Sequence, residues 1–126
     1  MPRTYRDLLA WRKARNLAIF VYRETEKFPR SELFGLTSQT RRAAISIVSN
    51  IAEGQGRLTK GEFRHFLGQA RGSLLELETQ IEIANDLQYL GEESFRALES
   101  HTLQVLGLLN RLLESLSSET LKPLKH

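Results

Sequence analysis

The sequence predicts an all-α fold, an antiparallel up-down-up-down four-helix bundle. Apolar residues recur in alternating steps of three and four along most of the 126-residue chain, which is the spacing of helix faces that pack in a bundle. The three prolines, at positions 2, 29 and 123, all lie outside these periodic stretches. The sequence also lacks the strict alternation of apolar and polar residues that is typical of strands.

The first helix is predicted over about residues 5–28. Thr4 is placed to cap its N-terminus, with Asp7 three residues later. Pro29 ends the helix, because the residue before a proline is disfavoured in the helical conformation. The predicted inner face carries Ala10, Ala14, Leu17, Val21 and Phe28.

The second helix is predicted over about residues 37–53. Gly54 and Gly56 act as its stop signal, since glycine is common where helices end. Its predicted inner face carries Leu36, Thr40, Ala43, Ile47 and Ile51.

The third helix begins after Thr59, which is followed three residues later by Glu62 in the spacing of a capping box. Gly91 is predicted to end it. Its predicted inner face carries Phe63, Leu67, Ala70, Leu74, Leu77, Ile81 and Ala84.

The fourth helix completes a single domain over residues 1–116, and residues 117–126 are predicted to form a flexible C-terminal tail. The connections between helices are short, so neighbouring helices should run antiparallel. The predicted inner face of this helix carries Phe95, Leu98, Thr102, Val105, Leu109, Leu112 and Leu116.

Composition narrows the function classes. The chain has no cysteine, which excludes disulfides, thiolate metal sites and cysteine nucleophiles. No stretch reaches the roughly 20 apolar residues of a membrane helix, and the N-terminus lacks the apolar run of a signal peptide. We therefore expect a cytoplasmic protein that does not associate with a membrane.

The net charge of +3 conceals a polarised chain. Residues 1–72 hold 14 Lys and Arg against 6 Asp and Glu, whereas residues 73–126 hold 4 against 9. In an up-down-up-down bundle, the start of the first helix, the loop between the second and third, the start of the third and the end of the fourth meet at one end. We call this end the basic pole, and its cations are Arg3, Arg6, Arg12, Lys13, Arg15, Arg57, Lys60, Arg64, Arg71, Arg111, Lys122 and Lys125.

The third helix carries its cations near its start and acidic residues toward its end, which opposes the helix dipole. This arrangement favours use by something outside the helix, either an anionic ligand or a neighbouring subunit. Chance clustering on a solvated surface is the alternative. The candidate nucleic-acid contacts are Arg12, Arg15, Arg57, Lys60, Arg64 and Arg71.

Several apolar residues lie off the predicted inner faces. Scattered exposed apolar groups are normal on proteins, but clustering on long helices favours a buried interface between subunits. The candidate oligomer-interface residues are Ile19, Phe20, Leu75, Ile83, Leu103 and Leu108.

Chemistry-bearing motifs are present only as fragments. Glu62 and His65 have the spacing of a di-iron bundle ligand pair, but such a site needs a second pair and two further carboxylates. No second pair exists, because Glu99 and His101 have the wrong spacing. We expect no metal site, no cofactor and no catalytic residue.

The motif Ser49-Asn50-Ile51-Ala52-Glu53-Gly54 resembles the family of 23S ribosomal RNA intervening-sequence proteins, and the resemblance extends over about residues 5–116. One departure is Val48, where the family often has a proline. Further matching stretches are Leu8-x-x-Trp11-x-x-Ala14, Phe34-Gly35-Leu36-Thr37-Ser38-Gln39, Arg41-Arg42-Ala43 and Ala70-Arg71-Gly72-Ser73-Leu74-x-Glu76-Leu77.

The resemblance implies a bundle that assembles into a ring-like homopentamer. Similar proteins include the accessory variability factor of diversity-generating retroelements, a basic pentamer that binds nucleic acid and a reverse transcriptase. The resemblance carries over no catalytic residue.

These observations support a leading hypothesis and two alternatives. The leading hypothesis is a non-enzymatic homo-oligomer, a pentamer by resemblance, whose basic pole binds structured RNA or other nucleic acid through phosphates. The first alternative is a protein-interaction scaffold with no nucleic-acid role, in which the basic pole meets acidic groups of a neighbouring subunit. The second is a metal enzyme with its site in the bundle core.

Overall fold

The computed structural model of the protein describes Tyr5 and residues 8–120, without the side chains of residues 117–120. The four helices are α1 (Leu9–Thr25), α2 (Leu36–Gln55), α3 (Lys60–Asp86) and α4 (Glu92–Thr120). A single 3-10 turn over Arg30–Glu32 lies between α1 and α2. Within the described residues there is no strand, so the predicted all-α class is confirmed.

The helices form a four-sided arrangement. Helix α1 packs against α2 and α4, and α3 packs against the same two helices from the opposite corner, so α1 and α3 lie on a diagonal. The α2–α3 pair shows its direction through two levels of contact. Ser46 hydrogen-bonds Ser73 at 2.8 Å, while Gly54, farther along α2, lies against Phe63 and Phe66, which come earlier in α3. These two helices are therefore antiparallel.

The contacts of α4 show that it is antiparallel to α3. Arg71 of α3 hydrogen-bonds Asn110, whereas Glu82, later in α3, lines a groove with Glu99, earlier in α4. Against α1, the ring of Phe20 lies 5.2 Å from that of His101.

Just beyond the end of α1, Lys27 hydrogen-bonds Ser94, which comes earlier in α4 than His101. Helices α1 and α4 therefore run in opposite directions. Arg41 of α2 hydrogen-bonds Thr25, the last residue of α1, across a short connection. Together these contacts confirm the up-down-up-down order.

The core follows the predicted inner faces. Every residue predicted to face inward is buried or packs against the buried cluster. Burying a leucine side chain contributes about 1.5–3 kcal/mol, so the leucines and isoleucines dominate stability. The large side chains with no exposed surface are Leu17, Ile51, Leu67, Leu74, Leu77 and Leu109.

Helices α1 and α3 differ from the prediction at their ends, and α1 begins at Leu9 rather than near residue 5. Helix α1 ends at Thr25, before Phe28, and α3 ends at Asp86, before Gly91. The stop of α3 is made by Gln88, whose φ of 64° turns the chain into the left-handed region. Gly91 instead precedes α4, where its carbonyl accepts a hydrogen bond from the amide of Phe95.

Helix α4 continues to Thr120, four residues past the boundary predicted at 116. The rest of the predicted tail, residues 121–126, and the predicted cap at Thr4 with Asp7 lie outside the described residues. None of the described helices is long and apolar enough to span a membrane.

Candidate nucleic-acid interface

The tip of the basic pole is built by a close approach of α2 and α3. Gly54 is buried, and a Cβ atom there would lie 2.9 Å from the side chains of both Phe63 and Phe66. It would also lie 3.2 Å from the carbonyl oxygen of Phe63. Only glycine leaves room for α2 and α3 to approach this closely just before the loop that joins them.

A polar cluster fastens the same pair of helices nearer the middle. The side-chain amide of Asn50 donates to the backbone carbonyl of Ser46 and to its hydroxyl, at 2.9 and 3.1 Å. The hydroxyl of Ser46 in turn pairs with that of Ser73. Within the motif at 49–54, Asn50 and Gly54 therefore contribute to the packing of α2 on α3 and Ile51 lies in the core, whereas Ser49 is exposed.

Arg57 lies in the loop between α2 and α3 and is held on two sides. Its guanidinium donates to the carboxylate of Glu53 at 2.8 Å and lies 4.6 Å from the centre of the Phe66 ring. The ion pair is about half exposed, so its contribution to stability is small. These contacts fix the position of the guanidinium and leave other donors free to reach an external oxygen.

The cations of α3 share the side of that helix that faces α4. Lys60, Arg64 and Arg71 are spaced by four and seven residues, which places them on one helical stripe. Lys60 and Arg64 are exposed, and Arg64 forms no ion pair or hydrogen bond within the part of the chain that the structure describes. Arg71 donates to Asn110 at 2.8 Å and lies 11 residues, or about 16 Å, from the start of the helix.

The cations of α1 are set apart from this stripe. Arg12 and Arg15 lie on the helix diagonal to α3. The start of α1 packs against Leu108 and Leu112 of α4, eight or more residues before the described end of that helix, which is about 12 Å along its axis. The structure thus brings Arg57, Lys60 and Arg64 together at the tip and places Arg12, Arg15 and Arg71 nearer the middle of the bundle.

The charge excess of the pole persists in the described residues. Eight cations, Arg12, Lys13, Arg15, Arg57, Lys60, Arg64, Arg71 and Arg111, are opposed by three carboxylates, Glu53, Glu62 and Glu114.

The first two turns of α3 carry two of these cations, Lys60 and Arg64, against one carboxylate, Glu62. The side chain of Thr59 accepts a hydrogen bond from the amide of Glu62 at 3.1 Å, as the capping-box spacing predicts. Lys60 and Arg64 lie at this N-terminal end, where the helix dipole disfavours cations and favours anions. An anion bound there would gain from the helix dipole and the cations together.

The candidate interface residues lie on α1, α3 and α4. Phe20 packs on His101 and Leu108 packs against the core, both in the seam between α1 and α4. Leu75 and Leu103 are 39% and 56% exposed and flank the seam between α3 and α4. Ile19 and Ile83 are exposed on other sides of the bundle.

Sequence reasoning missed an exposed aromatic groove at the end opposite the basic pole. We call it the distal groove, and Phe34 on its rim is 93% exposed. Phe34 belongs to one of the stretches that carry the family resemblance, but spacing alone gives no sign that its ring faces solvent. The groove is lined by Tyr22, Leu33, Phe34, Thr37, Ser38, Arg41 and Arg42.

Two carboxylates near this end have pKa values below their ordinary range. The pKa of Glu32 is lowered because its carboxylate accepts hydrogen bonds from the backbone amide of Leu36 and from the hydroxyl of Tyr89. The pKa of Glu24 is lowered mainly by a hydrogen bond from Ser94, with Lys27 adding to it. Glu32 thereby caps the start of α2 and ties it to the chain between α3 and α4.

The described residues hold no group of three or more histidine, cysteine or acidic side chains placed to bind a metal ion. His65, one half of the Glu62–His65 fragment, is exposed, and its ring nitrogen pairs with Gln69 at 3.3 Å. The fragment therefore has the surroundings of an ordinary surface pair.

Comparison with known proteins agrees with the fold and the motifs. A crystal structure of a protein of unknown function from the S23 ribosomal protein family of Bacteroides thetaiotaomicron superposes with a TM-score of 0.76. The two proteins share 19% sequence identity over 83% of this chain and 98% of the other. Among curated proteins, none matches this sequence.

The family model of 23S rRNA-intervening sequence proteins matches residues 6–111, which is most of the chain and includes the motif at 49–54. The match contains the Gly54 crossing, the Ser46–Asn50 cluster and all the described cations of the pole. The chain therefore belongs to the family of 23S rRNA-intervening sequence proteins.

Proposed function

We propose that the protein is a non-enzymatic homo-oligomer, pentameric by its resemblance, that binds structured RNA or other nucleic acid through its basic pole. The observation that supports this most is the tip itself. Arg57, Lys60 and Arg64 lie on one loop and the start of the helix that follows it, where α3 packs closely against α2 at Gly54.

The chemistry of this tip suits phosphate oxygens. Arginine presents a fork of donors that matches a phosphate, and such contacts fix a protein on nucleic acid with little reading of bases. Arg57 is pre-positioned by Glu53 and Phe66, and Arg71 by Asn110, so less side-chain freedom is lost on binding. The remaining cations of α1 would extend the electrostatic attraction around the bundle.

Assembly into a ring would raise the affinity for RNA above that of a single basic pole. One pole offers only a few phosphate contacts, whereas a ring repeats the pole and makes each further contact intramolecular. The two parts of the proposal are therefore coupled, since affinity for an extended RNA should depend on the oligomer.

Charge reversal at the tip tests the site. We expect the pair Lys60→Glu and Arg64→Glu to weaken binding of a structured RNA and to flatten the dependence of log K on log salt, because each lost phosphate contact removes about 0.7–0.9 from the slope. The matched control is Arg23→Glu with Arg30→Glu, which changes the net charge equally at the other end of the bundle.

Three results are informative. Loss in the tip variant alone supports the pole as the contact. Equal loss in both variants indicates that only overall charge matters, and parental affinity in the tip variant contradicts the site assignment.

The scaffold alternative is favoured by the distal groove, whose exposed Phe34 is typical of a protein-docking surface. It predicts that no nucleic acid binds at any salt concentration and that the oligomer dissociates at high salt. Whether nucleic acid binds at low salt in the same titration distinguishes the two functions.

A further inference from the structure

The distal groove between α1 and α2 has the composition of a protein-docking surface. Phe34 and Leu33 are 93% and 46% exposed, and Tyr22 beside them is 42% exposed. Arg41 also lines the groove, where its guanidinium donates to the Thr25 hydroxyl at 2.8 Å and to the Tyr22 carbonyl at 3.3 Å and lies 4.8 Å from the centre of the Tyr22 ring. Fully burying a phenylalanine side chain contributes about 1.5–3 kcal/mol of stability. Because Phe34 is exposed in the single chain, that contribution is available only when another molecule covers it.

The groove is also cationic. Arg41 and Arg42 line it, and Arg42 is exposed. The carboxylate of Glu32 at this end is engaged by the amide of Leu36 and the hydroxyl of Tyr89, and it does not pair with either arginine.

A complementary groove lies on the opposite side of the same half of the bundle. It runs between α3 and α4, encloses about 130 Å³ and is lined by three carboxylates together with Phe95, Ile81 and Thr102. We call it the acidic groove, and its carboxylates are Glu78, Glu82 and Glu99.

Apolar residues flank this acidic groove. Leu75 is three residues from Glu78 and Leu103 is four residues from Glu99, so each shares a helix face with a carboxylate of the groove, and they are 39% and 56% exposed. The nearby Arg96 is paired with Glu92 at 3.2 Å, so the surface keeps its negative charge. The two grooves thus offer aromatic and cationic groups on one side and apolar and anionic groups on the other.

We propose that the distal groove of one copy of the chain docks on the acidic groove of a second copy. The inference rests on the homo-oligomer of the proposed function and names the surfaces that build it. Two distal grooves cannot pair with each other, because Arg41 and Arg42 would face their own equivalents, and like charges suppress such a contact. The contact is therefore heterologous, so each copy uses both grooves.

The position of the two grooves determines the relative orientation of neighbouring copies. Both lie in the half of the bundle away from the basic pole, so docking at the same height keeps neighbouring copies parallel. A heterologous contact closes into a ring where its repeated rotation completes a full turn and builds an open filament where it does not, and the homo-oligomer of the proposed function requires the ring. Parallel copies would then present all their basic poles on one face of that ring, which is the arrangement that multivalent phosphate binding needs.

Complementary variants test the contact. One variant carries Phe34→Ala and Arg42→Ala and keeps its acidic groove, while the other carries Glu82→Lys and Glu99→Lys and keeps its distal groove. Light scattering after size exclusion, at a concentration where the parent is oligomeric, should give each variant alone the mass of one chain. An equimolar mixture should give a 1:1 pair, because one intact contact can still form.

Controls separate the contact from general effects of charge and folding. Arg23→Glu and Glu76→Lys are exposed substitutions outside both grooves and should keep the parental mass. Circular dichroism should show parental helix content for every variant.

The inference is overturned if either groove variant keeps the parental mass, or if the mixture gives no pair. If the parent itself is monomeric, the homo-oligomer of the proposed function fails as well. If the parent is oligomeric and the groove variants are too, only the groove assignment fails.

Discussion

The crossing of α2 and α3 at Gly54 makes a quantitative prediction for Gly54→Ala. The added methyl group would lie 2.9 Å from Phe66 Cβ and Phe63 Cδ1, and 3.2 Å from a backbone oxygen. Phe66 Cβ and the backbone oxygen are not ends of flexible side chains, so α3 itself must move away. Inserting a methyl group into such a packed site costs about 1–3 kcal/mol.

The helix propensity of alanine offsets part of that cost. Alanine is favoured over glycine by about 1 kcal/mol inside a helix, and by less at the last turn of α2. We therefore expect Gly54→Ala to lower the free energy of unfolding by about 0.5–2 kcal/mol.

Gly72→Ala is the matched control. Gly72 lies inside α3 with open space around its Cβ position, so the same substitution should raise the free energy of unfolding by about 1 kcal/mol. Urea unfolding at one fixed protein concentration measures both, since the stability of the proposed homo-oligomer would depend on concentration. A Gly54→Ala protein as stable as the parent would refute the close-packing argument.

Three further substitutions test the caps and the core. Thr59→Ala removes the cap of α3 and should destabilise the protein by about 1 kcal/mol in urea unfolding, whereas no change would show that the cap bond is dispensable. Leu109→Ala creates a cavity at a fully buried position and should lower the free energy of unfolding by about 2–5 kcal/mol. A smaller loss in the same assay would mean that the surrounding core relaxes to fill the cavity. Glu32→Gln tests pH dependence. The pKa of Glu32 is lowered in the folded protein, so its carboxylate contributes stability above the unfolded pKa, and that stability is lost as the pH falls through the folded pKa. Thermal melts over an acid pH series should show a shallower loss of stability in Glu32→Gln, and a parental acid profile would exclude this role for the bonds to Leu36 and Tyr89.

The helices and their inner faces could be predicted because a bundle imposes a period of three and four on the sequence. The spacing from Leu67 to Ala84 and the cap at Thr59 carry that information locally. The stop of α3 could not be predicted, because Gln88 takes a left-handed conformation that the sequence signals only weakly. Gly91 was the stronger local signal and precedes α4 instead.

The candidate site was predictable at the level of the pole and less so at the level of single residues. That Arg57, Lys60 and Arg64 share the tip follows from their neighbouring positions in the chain. The setting of Arg12 and Arg15 depends on how far α1 is offset along α4, which is decided by packing at Leu108 and Leu112. The exposure of Phe34 also depends on tertiary structure, since the sequence of a loop does not determine which of its side chains the helices bury.

The most direct test is size exclusion coupled to light scattering on the protein mixed with a structured RNA. Absorbance at the nucleic-acid and protein wavelengths is recorded on the same peak. At low salt, we predict a peak whose protein mass is several times the 14.5 kDa chain and which contains RNA. At high salt, the RNA should leave the peak because phosphate contacts are screened. A protein peak at the mass of one chain, free of RNA at both salt concentrations, would contradict the account.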